Sequence, residues 1–311
     1  MSFFQRLRER IRLPKAKGPE QAPVRSVKIV TDSTADLPPE IVSELGITIV
    51  PLQVIFGDKA YRDGVDIDSE QFFRLLPNAK ELPHTSQPST GEFQRVYEDL
   101  STQTDHILSI HLSAGFSGTL NAAQLAARAL VGRCTIEVID SGTVSMAMGF
   151  AVIAAARAAR DGADLEGCEV AARSVLRRQR LAVTVDTLEY LRRGGRIGRA
   201  TALVGGLLKL KPILTIREGQ TFPLARVRSR RRALDEMLSV CLKDGEVEEA
   251  IIMDSTTPDD ARYLTDELTR RCPGIPIYSG RIGPVIGVHG GPGLIGLAVV
   301  MAAVPAVPSL A

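Results

Sequence analysis

The chain has 311 residues, room for two domains, with 44% apolar residues and a formal net charge of +2. That near balance excludes a general polyanion binder, and no apolar run is long enough to span a bilayer. Cys134, Cys168, Cys241 and Cys272 form no C-x-x-C pair and no secretory signal opens the chain, which points to reduced, structural thiols in the cytoplasm.

In residues 1–13, Phe3, Phe4, Leu7 and Ile11 fall on one face at helical spacing, with Arg6, Arg8, Arg10 and Arg12 mostly elsewhere. Such a basic amphipathic helix suits transient contact with an anionic membrane surface, or packing on its own domain or a partner. Residues 14–23 read as linker, so 1–25 form an extension. Strands are predicted at 27–31, 47–55, 106–111 and 135–139, and helices at 38–45, 89–100, 117–131 and 143–160. This β/α alternation gives a first α/β domain over 26–162 with a mainly parallel sheet. The Asp161-Gly162-Ala163-Asp164 turn is a hinge. A second α/β domain with a mixed sheet follows over 163–311, with helices at 165–177, 231–242 and 259–270 and strands near 181–185, 213–217, 222–227, 250–253 and 294–300.

Two hydroxyl-rich turns stand out, His84-Thr85-Ser86-Gln87-Pro88-Ser89-Thr90-Gly91 and Leu112-Ser113-Ala114-Gly115-Phe116-Ser117-Gly118-Thr119. Each leads into a predicted helix, whose unpaired N–H groups and positive dipole end suit an anion. Neither has phosphate-loop spacing, and Ser, Thr and Gly serve equally as plain caps. His289 lies among glycines, between Gly287 and Gly290-Gly291-Pro292-Gly293. His84, His106, His111 and His289 lack zinc-motif spacing, and the stretch with Asp58, Asp63, Asp66 and Asp68 lacks the full calcium-loop pattern and reads as a polar loop. No metal or cofactor is expected. Arginines cluster at 192–199 and 226–232, as a solvated basic face or a surface for phosphoryl groups or a partner. No Walker motif, kinase glycine loop or G-x-S-x-G elbow is present.

Five separated segments together resemble the DegV family of bacterial fatty-acid-binding proteins. They are Val27-Lys28-Ile29-Val30-Thr31-Asp32-Ser33-Thr34-Ala35-Asp36-Leu37, Thr85-Ser86-Gln87-Pro88-Ser89, Ser117-Gly118-Thr119, the run from Asp186-Thr187-Leu188-Glu189-Tyr190 to Gly194-Gly195-Arg196-Ile197, and the run from Gly283-Pro284-Val285 to Gly293. Only residues 1 to about 25 fall outside the resemblance. It implies a two-domain DegV-like α/β fold with a long-chain fatty acid held between the domains. It further implies that Thr85 and Ser117 hold the carboxylate with N–H groups around Gly118, and links His289 to that site. The bound acid would be presented to a separate ATP-dependent fatty-acid kinase subunit, feeding phospholipid metabolism, with Arg196 and Arg228 facing that partner. The chain would then be a carrier in the cytoplasm, peripheral at the inner membrane surface, and not an enzyme by itself.

The physics of such a site is lopsided. Burying a methylene is worth about 0.8 kcal/mol, so a sixteen-carbon tail gains roughly 10 kcal/mol gross, and the head group mainly orients. Candidate tail contacts lie at 50–56, near Phe116 and at 203–208. The rival readings are a Ser117–His289 acyl hydrolase and a nucleic-acid-binding regulator using 226–232.

Overall fold

The computed structural model describes residues 26–203 and 210–303. The amphipathic extension and most of the 203–208 tail candidate lie outside the described residues. In chain order the first half contains β1 (Lys28–Asp32), α1 (Pro39–Leu45), β2 (Thr48–Val50), β3 (Gln53–Phe56), β4 (Lys59–Arg62), α2 (Ser69–Leu75), β5 (His84–Ser86), α3 (Thr90–Ser101), β6 (His106–His111), α4 (Thr119–Ala129), β7 (Thr135–Asp140) and α5 (Ser145–Arg160). The second half contains α6 (Leu165–Arg178), β8 (Gln179–Thr184), α7 (Glu189–Arg193), β9 (Lys211–Arg217), β10 (Gln220–Val227), α8 (Arg230–Cys241), β11 (Val247–Asp254), α9 (Pro258–Arg271), β12 (Ile277–Arg281), α10 (Pro284–Gly290) and β13 (Ile295–Met301).

Among the described residues the strands form three sheets. The first is parallel throughout, in the order β2-β1-β6-β7. The largest is six-stranded and mixed, β10-β9-β8-β13-β11-β12, with only the β11–β12 pair parallel. A small antiparallel sheet, β4-β3-β5, stands beside the first. The expected single strand at 47–55 is in fact two strands in different sheets. Pro51 separates them, since it has no N–H to donate to a ladder.

Helix α5 explains how the halves adhere. Eleven residues of this sixteen-residue helix are buried, from Met146 to Ala159, so it is apolar around most of its circumference, as a helix inside a core must be. It packs against β1 and β6 of the first sheet, against β8 and β13 of the second, and along α6. One continuous core runs through it, from Leu108 and Ile110 on β6 to Leu214 on β9 and Ile251 on β11. The Asp161–Asp164 turn joins α5 to α6, and Asp164 caps α6 by accepting a hydrogen bond from the Gly167 N–H.

The stretch expected to be a polar loop is more ordered than its composition suggests. Asp66 pairs with Arg62 of β4, and Asp68 closes a capping box with Gln71 at the start of α2. Asp63 is buried at 3% exposure. Asp66 and Asp68 thus serve local structure.

Candidate functional site

The carboxyl ends of β1 and β6 are fixed by a buried polar chain. Asp32 accepts hydrogen bonds from the Thr34 and Leu112 N–H groups, and its Oδ2 lies 2.9 Å from His111 Nδ1. His111 Nε2 then meets Ser109 Oγ at 2.7 Å, and Ser109 meets the Tyr97 hydroxyl at 2.8 Å. All four side chains are fully buried, so these polar groups need one another. This chain fixes the two loops that leave the sheet, at Ser33 and at Leu112, and the second loop carries Phe116 and Ser117.

Above these loops lies a cavity of about 330 Å³ between the two halves. One end is polar, with Thr85, Gln87, Ser117, Arg196 and His289 on its wall. Most of the remaining wall is apolar. It comes from Leu52, from Met146 and Ala147 of α5, from Val285 and Ile286 of α10, and from the face of the six-stranded sheet.

Each polar residue arrives by its own route. Thr85 projects from β5, paired with Val54 of β3, and not from a helix end as its turn-like sequence suggests. The following helix α3 is capped by its own side chains, since Ser89 and Glu92 form a capping box, so its N-terminus is not a free anion site. Ser117 precedes α4, where Gly118 is the N-cap. Its Oγ accepts from the Thr119 N–H at 3.2 Å and lies 2.8 Å from Thr119 Oγ1. Other first-turn N–H groups of α4 have no intrahelical acceptor. Gln87 packs where a side chain on Gly118 would stand.

His289 sits in the last turn of α10, and its Nε2 shares a 3.0 Å hydrogen bond with Thr85 Oγ1. Among the described residues its buried Nδ1 has no hydrogen-bond partner. A Cβ on Gly194 would fall 2.2 Å from that nitrogen, so glycine at 194 is what admits the ring. Burial first, and then the Arg196 charge, push the imidazole down to about 4, which leaves it neutral near pH 7. Arg196 is half-buried and donates from Nε to the Phe116 carbonyl at 3.0 Å and from Nη1 to the Gly194 carbonyl at 2.6 Å. It thus ties the second half to the loop that carries Ser117.

The structure therefore gathers Thr85, Ser117, His289 and Arg196 on the cavity wall, with Gly118 next to Ser117 at the N-cap of α4. Arg228 is elsewhere. It is exposed and follows β10, whereas Arg196 is joined to the start of that strand, where Thr221 Oγ1 donates to its carbonyl. Seven residues of strand separate the two points by about 20 Å. Ser117 bonds Thr119 and His289 bonds Thr85, so the Ser117–His289 pair that the hydrolase reading requires is not formed. Of the tail candidates, Leu52 and Phe116 line the cavity. The walls from β8, β9, β11, β13 and α10 were not foreseen. Their only sequence signal is the alternation within each strand, which does not say which face meets the cavity.

Behind the α10 end of the cavity two more carboxylates meet. Asp36 accepts from the Gly283 N–H at 3.1 Å and from Ser145 Oγ at 2.5 Å, and Asp63 accepts from Ser33 and from the Val285 N–H. Desolvation pushes both carboxyls up, Asp63 to about 7, with neighbouring acidic groups adding to the effect. They fix the start of α10, the helix that carries His289.

Residues 26–302 match the model of a family described as uncharacterised proteins of the DegV family. A DegV domain-containing protein of Clostridium acetobutylicum is 37% identical over 279 residues, which cover 88% of this chain and 97% of that one. Among solved structures, a DegV family protein from Thermus thermophilus described by its fatty acid binding superimposes with a TM-score of 0.83 at 34% identity, over 89% of this chain and all of that one. DegV of Bacillus subtilis, described as a fatty acid binding protein, gives 0.82 at 33% identity, over 89% of this chain and 99% of that one. The chain belongs to the DegV family.

Proposed function

We propose that this protein binds a long-chain fatty acid in the cavity between its halves and presents it to a separate ATP-dependent fatty-acid kinase for acyl-phosphate formation. The observation that carries the reading is the makeup of the cavity wall, which is mostly apolar and has Thr85, Gln87, Ser117, Arg196 and His289 grouped together in it. Apolar walls supply affinity in proportion to the methylenes they cover, and the polar end offsets the cost of burying a carboxylate. Thr85 and Ser117 donate their hydroxyl hydrogens to the carboxylate oxygens, N–H groups around Gly118 assist, and neutral His289 orients Thr85. The likeness to two structures described as fatty-acid-binding supports this choice of ligand.

Presentation to a kinase is the finer part of the proposal. Arg228, exposed and outside the cavity, suits a partner-facing role, since a guanidinium matches phosphoryl oxygens in a bidentate way. Among the described residues no helix is long and apolar enough to cross a membrane. We place the protein in the cytoplasm, with transient contact to the inner membrane surface through residues 1–13. The test is titration of delipidated protein with palmitic acid and with its methyl ester. The acid should bind one-to-one and the ester much more weakly, without being hydrolysed. Ester turnover, or equal affinity for both, would overturn the carboxylate-binding carrier.

A further inference from the structure

The floor of the cavity is the face of the six-stranded sheet, and its residues fall in register across four strands. Met253 on β11 pairs with Gly296 on β13, Gly296 with Val183 on β8, and Val183 with Leu214 on β9. All four line the cavity, as does Ala298, which lies two residues beyond Gly296 on the same face of β13. The polar end lies on the β9–β10 side, because Thr221 of β10 is bonded to Arg196. Met253 stands on the opposite side. From β10 to β11 is four strand spacings, about 19 Å, so an acyl chain whose head group lies at the polar end beside Arg196 must pass over β8 and β13 to reach Met253.

On that route β13 offers only a hydrogen and a methyl group, between the branched Val183 and the long Met253. Backbone geometry does not demand glycine at 296, since its φ is not in the left-handed region. Nor does packing, because among the described residues a Cβ there would meet nothing nearer than Val183 Cγ2 at 3.7 Å, an ordinary contact. A side chain at 296 would project into the cavity.

The geometry points to Gly296 and Ala298 as the residues that set the longest acyl chain the cavity accepts, by keeping β13 low enough for the tail to cross it. The inference rests on the fatty-acid reading above. Bulk on β13 would move the end wall back from β11 to β8, two strand spacings or about 10 Å. Short chains would still fit on the β8–β9 side.

The test compares delipidated wild type with Gly296→Val, Ala298→Val and the milder Gly296→Ala. Affinities for straight saturated acids of ten and sixteen carbons are measured by calorimetry, beside thermal melting of the ligand-free proteins. Both valine variants should keep the ten-carbon acid and shift the affinity ratio against the sixteen-carbon acid by at least about tenfold, with a smaller shift for Gly296→Ala. If the Gly296→Val melt is lowered, Ala298→Val and Gly296→Ala carry the comparison. An unchanged ratio in the folded variants overturns the inference, and so does equal loss of both acids. If wild type binds neither acid, it is the fatty-acid reading itself that fails.

Discussion

Removing the Arg196 guanidinium probes the proposed head-group end most directly, because this side chain both ties a loop in place and lines the cavity. It donates to the Phe116 carbonyl and to the Gly194 carbonyl, and it lies on the cavity wall beside His289. Arg196→Ala therefore loosens the loop carrying Ser117 and withdraws the cationic group from the place assigned to the carboxylate. A hydrogen bond to a charged group contributes about 1.5–3 kcal/mol, and partial exposure of Arg196 keeps the effect toward the lower part of that range. Fatty-acid affinity should fall roughly tenfold to a hundredfold. Arg196→Lys should recover only part of it, since an ammonium cannot reproduce the fork that spans two carbonyls. Calorimetric titration of delipidated variants with palmitic acid gives the affinity, and melting of the ligand-free proteins reports the loop. Wild-type affinity in a folded Arg196→Ala variant would refute the reasoning that Arg196, as a lining residue, supports the head-group end of the cavity.

Arg228→Ala should keep wild-type affinity and lose most acyl-phosphate formation when the cognate kinase and ATP are supplied; full turnover would remove the presenting role. Thr85→Ala and Ser117→Ala should each weaken binding by about 1.5–3 kcal/mol while the ligand-free fold survives, and unchanged affinity would reduce these hydroxyls to local caps. Asp63 gives a pH dependence of stability. A carboxyl whose value rises from 3.8 unfolded to about 7 folded stabilises fully below the unfolded value, and that contribution is lost as pH rises through about 7. The loss is at most about 4 kcal/mol, so Asp63→Asn should gain on wild type in denaturant melts between pH 5 and pH 8. The comparison cancels the opposing contribution of His289, and parallel curves would contradict it.

Regular elements with strong patterns were legible before any coordinates. The strand at 106–111 has its predicted bounds, and α5 and α6 begin or end within two residues of expectation. Short elements were not. β5 has three residues and α10 seven, with two glycines in the latter, too little for periodicity to register. Yet these two carry Thr85 and His289. The resemblance located those residues, but only the three-dimensional structure shows why they meet, since β5 is held by β3 and α10 is fixed at its start by Asp36 and Asp63. The arginines illustrate the opposite failure. Two basic runs looked equivalent in sequence, whereas one reaches the cavity and the other lies a strand's length away, because the spacing of residues along a chain does not give their separation once a hairpin intervenes. The apolar floor was hidden for a third reason. Leu181, Val183, Leu214 and Met253 resemble ordinary core residues until the sheet is assembled and one face is found to border a cavity.

The central claim is that the cavity holds a long-chain free acid, and the most direct measurement is mass spectrometry of lipid extracted from protein purified without added ligand. The account predicts straight-chain free fatty acids near one per protein, displaced when excess palmitic acid is added. Extraction of esters or phospholipids in their place, or a delipidated folded protein that takes up no fatty acid, would contradict it.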